Sequence, residues 1–501
     1  MGESLLVRGG RIVPLDEGGA EQVADVRIHD GVIVEVGPDL PSAGEPELDA
    51  AGGWVLPGLW DAHVHFSQYV RAYSWVDVAG SDGPEEVCRR MAAVVAGRPA
   101  DGSAVIGFGY RSAPWERVGT VAELDAVASD RPLVVIAGDA HNGWLNSAAL
   151  AAFGLPPREG PLVENEWFAV FGRLDDLHGA APTPAQEDAV VALLAARGLT
   201  GLVDLEFEAP FRTWPARVAR GLRSLRVRAG VYPHQFEEVL AAGWRTGDAL
   251  PGGEGLATMG PLKIITDGSM GTRTAWCCQP YCDASPGEPH PAGYANLTTD
   301  ELRALFTRAH AAGLQVAAHA IGDRANAAVL DAFAATGASG SVEHAQLLRR
   351  EDVPRFGALG VTASMQPHHL VADRDPAALL WGDRTDRLYL ARSVLAAGGA
   401  VALGSDAPVS PPDPWLAIAT AVHRSGDDRP GWHAEESLTP RQALACSVDG
   451  QRIAVGRRGD VVVVGSDPLW QNDDPAATAA HLRAMPVRAT VCAGLVTHRG
   501  A

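Results

Sequence analysis

Six side chains in this sequence have the types and spacing to bind or activate something. His63 and His65, in Trp60-Asp61-Ala62-His63-Val64-His65, stand two apart on what reads as an extended segment. That spacing turns both imidazoles to one face. Further along are Lys263 in Leu262-Lys263-Ile264-Ile265-Thr266-Asp267-Gly268-Ser269, His319 in Ala318-His319-Ala320-Ile321-Gly322-Asp323, His344 in Val342-Glu343-His344-Ala345-Gln346, and Asp406 in Gly404-Ser405-Asp406-Ala407-Pro408. Neutral imidazole nitrogens and carboxylate oxygens suit zinc and similar divalent ions. Lys263 is the only lysine among 41 Lys plus Arg. It is either a chance survivor in a codon-biased chain or a residue whose primary amine is needed. Unlike a guanidinium, that amine can lose its proton and react. Addition of carbon dioxide would give a carbamate with two oxygens able to bridge metal ions.

The elements that must position these groups read as alternating strands and helices. Eight apolar runs are strand candidates: Trp54–Leu59, Gly198–Leu205, Leu225–Tyr232, Leu262–Thr266, Leu314–Ala318, Ser341–Glu343, Gly360–Met365 and Ala400–Leu403. Helix candidates between them include Thr298–Ala312, with the capping-box pair Thr298 and Glu301, and also Asp323–Thr336 and Leu388–Ala397. Eight such repeats predict a (β/α)8 TIM barrel of α/β class, with the chemical residues at the C-terminal strand ends, where barrel sites lie. Short strands separated by Gly and Asp fill both chain ends, and neither end has enough strands for a sheet alone. The expected organisation is a small β-sandwich built from residues 1–56 and 451–501, a first barrel strand within 57–66, an insertion domain over 67–182, and the rest of the barrel over 183–450. The insertion has strand-like runs of its own, Ala104–Phe108 and Leu133–Ala137.

Bulk properties bound the partners. The net charge is −20, which argues against nucleic acid and against an anionic membrane surface. No apolar run is long enough to span a bilayer, and Met1 to Pro14 lacks the core of a signal peptide. The six cysteines show no disulfide framework, and a reducing cytoplasm fits them best. Cys277, Cys278 and Cys282 resemble a zinc cluster but lack a second ligand pair. A small-molecule substrate is expected, and a homodimer stays open.

On these segments the sequence resembles the amidohydrolase superfamily, most closely the branch that includes N-substituted formamide deformylase. The carrying residues are His63 and His65, the Lys-x-x-x-Asp-Gly-Ser pattern from Lys263 to Ser269 with Gly271, Arg273 and Thr274, then His319, His344 and Asp406. The stretch Asp139-Ala140-His141-Asn142-Gly143-Trp144-Leu145-Asn146-Ser147 resembles a motif of that branch's insertion. The resemblance implies two divalent metal ions, zinc by expectation, held by His63, His65, His319, His344, Asp406 and a carbamate on Lys263. It implies cleavage of an amide or N-substituted formamide C–N bond by a metal-bridging hydroxide. Asp406 would serve as general base and then acid. His141 would either stabilise the oxyanion or make an interdomain hydrogen bond. Gln366 and His368, after the seventh strand, would contact substrate. Trp144, Trp167, Phe168 and Phe171 would line an apolar pocket or form the insertion's core. Phe66-Ser67-Gln68-Tyr69, where a Gly-containing stretch is usual, leaves the substrate open. Two alternatives stand beside this reading. One is a mononuclear deaminase of the same fold, which the lysine disfavours; the other is a non-catalytic scaffold, which the full ligand set disfavours.

Overall fold

In the computed structural model, which describes residues 4–110, 112, 115–138 and 142–500 (side chains of 164, 165 and 168 excepted), eight parallel strands pair in chain order. They are β1 (Leu59–Val64), β2 (Leu199–Asp204), β3 (Arg226–Val231), β4 (Ala257–Ile265), β5 (Val316–Ala320), β6 (Gly340–His344), β7 (Thr362–Met365) and β8 (Ala400–Leu403). Helices follow β2 to β8 in turn, among them Pro210–Ala219, Thr299–Ala311, Asp323–Thr336, His369–Leu380 and Pro414–His423. The sheet curls until β1 meets the segment just past β8: Val64 bridges Ala407 in parallel. This is a (β/α)8 barrel, nearly closed.

The expected run Trp54–Leu59 divides at Gly58. Trp54–Pro57 pairs with Val461–Val464 and with Arg11–Ile12 outside the barrel, and β1 starts only at Leu59. A Cβ at Gly58 would lie 2.0 Å from Thr200 Oγ1, so the chain passes from one sheet to the other at a point too tight for a side chain. The helix expected over Leu388–Ala397 is shorter, Ala391–Ala396. Tyr389 has φ +52° and its amide donates to Gln346 O at 2.9 Å, which holds it off the helical path. The capping box does form: Thr298 N donates to Glu301 Oε2 at 2.8 Å and Glu301 N to Thr298 Oγ1 at 3.3 Å.

Both chain ends share one further sheet of eight strands. Ser4–Ile12 is central and pairs antiparallel with Gln22–His29, while Val461–Val464, Val487–Cys492 and Leu495–Arg499 extend the other side. Val7, Val26, Val55, Val461, Val463 and Val491 meet there in a separate apolar core.

Residues 67–190 form a second compact unit. Its sheet runs Leu162–Val163, Asn142–Leu145, Leu133–Ala137, Val105–Tyr110, Val76–Asp77. Alternate residues fill a core on each face: Ile106, Val134 and Ile136 with Trp167 on one, and Val105, Leu133 and Val135 with Trp144 on the other. Sheets buried on both faces read as continuous apolar runs, as Leu133-Val134-Val135-Ile136-Ala137 does. The helix Pro184–Ala196 crosses from this unit to the first one. No helix among the described residues is long and apolar enough to cross a membrane.

Candidate metal centre

The C-terminal ends of β1, β4, β5, β6 and the segment past β8 bring the six chemical residues together. The seam between β1 and β8 sets the first contacts. Asp406 N donates to His63 O at 2.7 Å and His65 N to Ala407 O at 2.9 Å. Asp61 Oδ1 accepts from His63 N at 3.1 Å and from Ser405 N at 2.9 Å. A Cβ at Gly404 would sit 2.8 Å from His63 N, so glycine is what allows the seam to close. Burial pushes the Asp61 carboxyl up to about 6 against these bonds.

The seam delivers Asp406 Oδ1 to 3.3 Å from both His63 Nε2 and His65 Nε2. On the other side of the His63 ring, Nδ1 lies 2.7 Å from Glu343 Oε2. An imidazole with Nδ1–H donated to a carboxylate keeps its Nε2 lone pair for an ion. Burial, the largest single influence, would raise Glu343, yet the bond and charge of His63, the charge of Lys263 and the Ser341 hydroxyl together outweigh it and hold the carboxyl below its usual range. Ser341 Oγ donates to the other oxygen of Glu343. His344 is oriented in the same way: its Nδ1 lies 2.8 Å from Gln366 Oε1. His319 Nε2 faces Gly268 O at 3.3 Å and Asp267 Oδ1 at 3.5 Å. Asp267 is itself fixed by the amides of Ile321, Gly322 and Trp276 at 3.1, 2.9 and 2.9 Å.

Lys263, only 2 % exposed, places Nζ 3.5 Å from His63 Nε2. Burial pushes its ammonium down from the ordinary lysine range. Burial likewise drives His319 down to about 3 and His344 well below the usual range, so both rings are neutral. For Asp406, burial works upward, but the surrounding histidines outweigh it and keep the carboxylate ionised. The donor atoms of His63, His344 and Asp406 all lie within 4.8 Å of one another. Neutral imidazoles, two with their far nitrogen occupied, around an ionised carboxylate are a donor set that fits a divalent ion.

Gln366 is fully buried and engaged with His344. Trp144 is 1 % exposed, and its Nε1 donates to Thr120 O at 2.8 Å inside the inserted unit, a core placement. His141 lies outside the described residues. His368 is partly buried with no partner for Nδ1. Its neighbour His369 is the one that reaches the centre: Nε2 is 3.8 Å from Asp406 Oδ2. Cys282 Sγ donates to Asp383 Oδ1 at 3.4 Å; Cys277 is buried, Cys278 exposed, and all three are free.

Sequence reasoning gave no role to Glu343, Asp267 or His369. Glu343 precedes His344 directly, and a strand should turn neighbours to opposite faces. His344 has φ +69°, so the strand leaves the extended form there and both side chains serve one site.

The model of the amidohydrolase family matches residues 47–498. A putative amidohydrolase, YtcJ, of Bacillus subtilis (strain 168) is 26 % identical over an alignment of 540 positions that spans 98 % of each chain. An N-substituted formamide deformylase of Arthrobacter pascens is 25 % identical, over 93 % of this chain and 90 % of its own. Among solved structures, an uncharacterized metal-dependent hydrolase from Pyrococcus horikoshii OT3 superposes with a TM-score of 0.78 at 23 % identity, covering 93 % of this chain and 98 % of that one.

Proposed function

The chain belongs to the amidohydrolase family, and from that premise we propose that it is a hydrolase of a non-peptide C–N bond, in an amide or an N-substituted formamide, working with two zinc ions. The observation that carries the reading is the approach of His63 Nε2 to both Asp406 Oδ1, at 3.3 Å, and Lys263 Nζ, at 3.5 Å. His63, His65, His319, His344, Asp406 and a carboxylated Lys263 would hold the ions. Bound there, they would polarise the scissile carbonyl and lower the pKa of water. The relative named as a formamide deformylase supports the amide class.

The protein's own groups do the rest. Glu343 and Gln366 fix the tautomers and directions of His63 and His344. The ionised Asp406 takes the proton of the attacking water and returns it to the leaving nitrogen. A buried Lys263 loses its proton easily, which carbamate formation requires.

Metal analysis of the purified protein, together with hydrolysis of N-formyl and N-acyl amines, tests this. Two ions per chain and release of a free amine are expected. Lys263→Arg and Lys263→Ala should lose at least the second ion and nearly all turnover. One ion per chain in the active parent would favour the mononuclear deaminase instead. A normal Lys263→Arg enzyme would make the lone lysine a survivor of codon bias.

A further inference from the structure

Asp406 divides its two oxygens. Oδ1 lies 3.3 Å from His63 Nε2 and 3.3 Å from His65 Nε2, among the metal-binding rings. Oδ2 lies 3.8 Å from His369 Nε2. That nitrogen is buried and has no hydrogen-bond partner. A buried donor or acceptor left unbonded is destabilising, so such an atom calls for an explanation. The ring is not loosely placed. It is the first residue of the helix His369–Leu380, its amide donates to Gln366 O at 3.1 Å, and it stacks on His344 with centroids 6.3 Å apart. One turn along, Asp373 accepts from Gln346 Nε2 at 2.8 Å and from the Tyr389 hydroxyl, which ties that helical turn to the loops after β6 and before β8.

The gap itself is informative. At 3.8 Å, Nε2 and Oδ2 are too far apart to bond each other. From C=O and C–N bond lengths, the oxygen and nitrogen of one amide stand roughly 2.2 Å apart. Two protein atoms with this separation can therefore address the two ends of a single amide at hydrogen-bond distance. Resting on the amide-hydrolase reading above, we propose that His369 is a catalytic residue whose Nε2–H donates to the carbonyl oxygen of the scissile amide while Asp406 Oδ2 serves its nitrogen. In the step, the oxygen of water bonds the carbonyl carbon and the C=O electron pair moves onto the oxygen beside His369. The water proton passes to Asp406. The oxyanion pair then re-forms C=O as the C–N bond breaks with its pair on nitrogen, and the proton from Asp406 completes the amine, leaving a carboxylic acid.

The test compares His369→Ala and His369→Gln with the parent, each loaded with zinc. Three quantities are read: zinc content, kcat and KM for an N-formyl amine, and the Kd of an N-alkyl phosphonamidate that mimics the tetrahedral state. Loss of one oxyanion donor should lower kcat by about 10²–10³-fold with KM little changed. The mimic should bind at least about tenfold more weakly. Gln, which keeps an N–H donor, should recover part of both, and zinc content should stay at the parent's value. A His369→Ala enzyme with unaltered kcat and mimic affinity overturns the proposal. Lost zinc in that variant overturns it too, because His369 would then be a ligand or a prop. A zinc-loaded parent that neither hydrolyses the amide nor binds the mimic would instead sink the amide reading on which the role depends.

Discussion

At the barrel's strand ends, Asp61, His63, Lys263, Asp267, Glu343, His344 and Asp406 are all buried. In residues 67–190 the deeply buried side chains are mainly apolar, Val135, Leu145, Trp144 and Trp167 among them, with Arg131 and Asn146 among the few polar ones. Both regions exclude water, and they fill the space with opposite chemistry. Ionised groups taken out of water are costly unless each is paired and hydrogen-bonded. The strand ends meet that condition with a web of bonds: Glu343 to His63, Asp61 to two amides, Asp267 to three. Their backbone is strained as well. His344, Ala345 and Asp406 have φ of +69°, +42° and +56°, each a conformation that costs on the order of 1–3 kcal/mol outside glycine. Among the described residues of 67–190, only glycines have positive φ. Strain and buried charge in one region, regular apolar packing in the other, mark where the protein gives up stability for chemistry.

The sharpest way to break that contrast is Asp406→Asn. The amide can still fill the space beside His63 and His65 but cannot carry a proton. Turnover should fall by about 10²–10⁴-fold while most of the metal remains. Full activity at full metal would mean that a buried carboxylate held at positive φ has no chemical role.

Next in size is Glu343→Gln, which acts first on the orientation of His63, a candidate ligand. Gln can accept the His63 Nδ1–H but carries no charge to set it. Changes of this kind cost about 10–100-fold in metal affinity or rate. Titrating the apoprotein with zinc would measure it. An unchanged zinc affinity and rate would reduce the 2.7 Å contact to a packing feature.

These two residues also show what was legible beforehand. The barrel could be read because each strand is an apolar run with a polar residue at its end, and the candidate metal ligands stood out because His63-Val64-His65 and the lone Lys263 are unusual in composition. The supporting groups could not. Glu343 follows the strand alternation only until His344 turns left-handed, and a positive φ at a histidine leaves no mark in the sequence. Choosing His369 over His368 needs the direction of the turn after Pro367, which adjacent identical residues cannot reveal. Trp144 was ambiguous for a simpler reason: an indole suits a pocket and a core equally, and only its bond to Thr120 O and its 1 % exposure assign it to the core.

Trp144→Phe therefore probes the other side of the comparison. It keeps an aromatic ring and loses one buried hydrogen bond and part of the ring volume. The inserted unit should lose about 1–3 kcal/mol, read by denaturation, with KM and zinc content unchanged. A raised KM with no loss of stability would return Trp144 to the substrate.

The smallest effect contrasts one carboxylate from each unit by the sign of its pH dependence. In the inserted unit, Glu123 is held down at about 2 by the Arg117 guanidinium, with help from the Thr120 hydroxyl and amide, against an ordinary 4.5. In the barrel unit, burial, aided by the nearby Glu206 charge, pushes Asp204 up to about 6 from an ordinary 3.8, even though it accepts from Phe66 N and Trp214 Nε1. Where the unfolded chain binds more protons, stability rises with pH. For Glu123 that window lies between 2 and 4.5, so its contribution is complete above 4.5 and lost as the pH falls toward 2. For Asp204 the folded state binds more protons, so its contribution is complete below 3.8 and lost as the pH rises through 6. Hydrogen exchange, corrected for intrinsic rates, can follow the two amides that report on them. Protection at Thr120 should climb between pH 2 and 4.5, and protection at Phe66 should decline between pH 4 and 6. Asp204→Asn should flatten the second slope and leave the first alone. Slopes of the same sign would show that the buried carboxylate beside the barrel's first strand is no less comfortable than a capping residue, and the contrast between the two regions would rest on the metal centre alone.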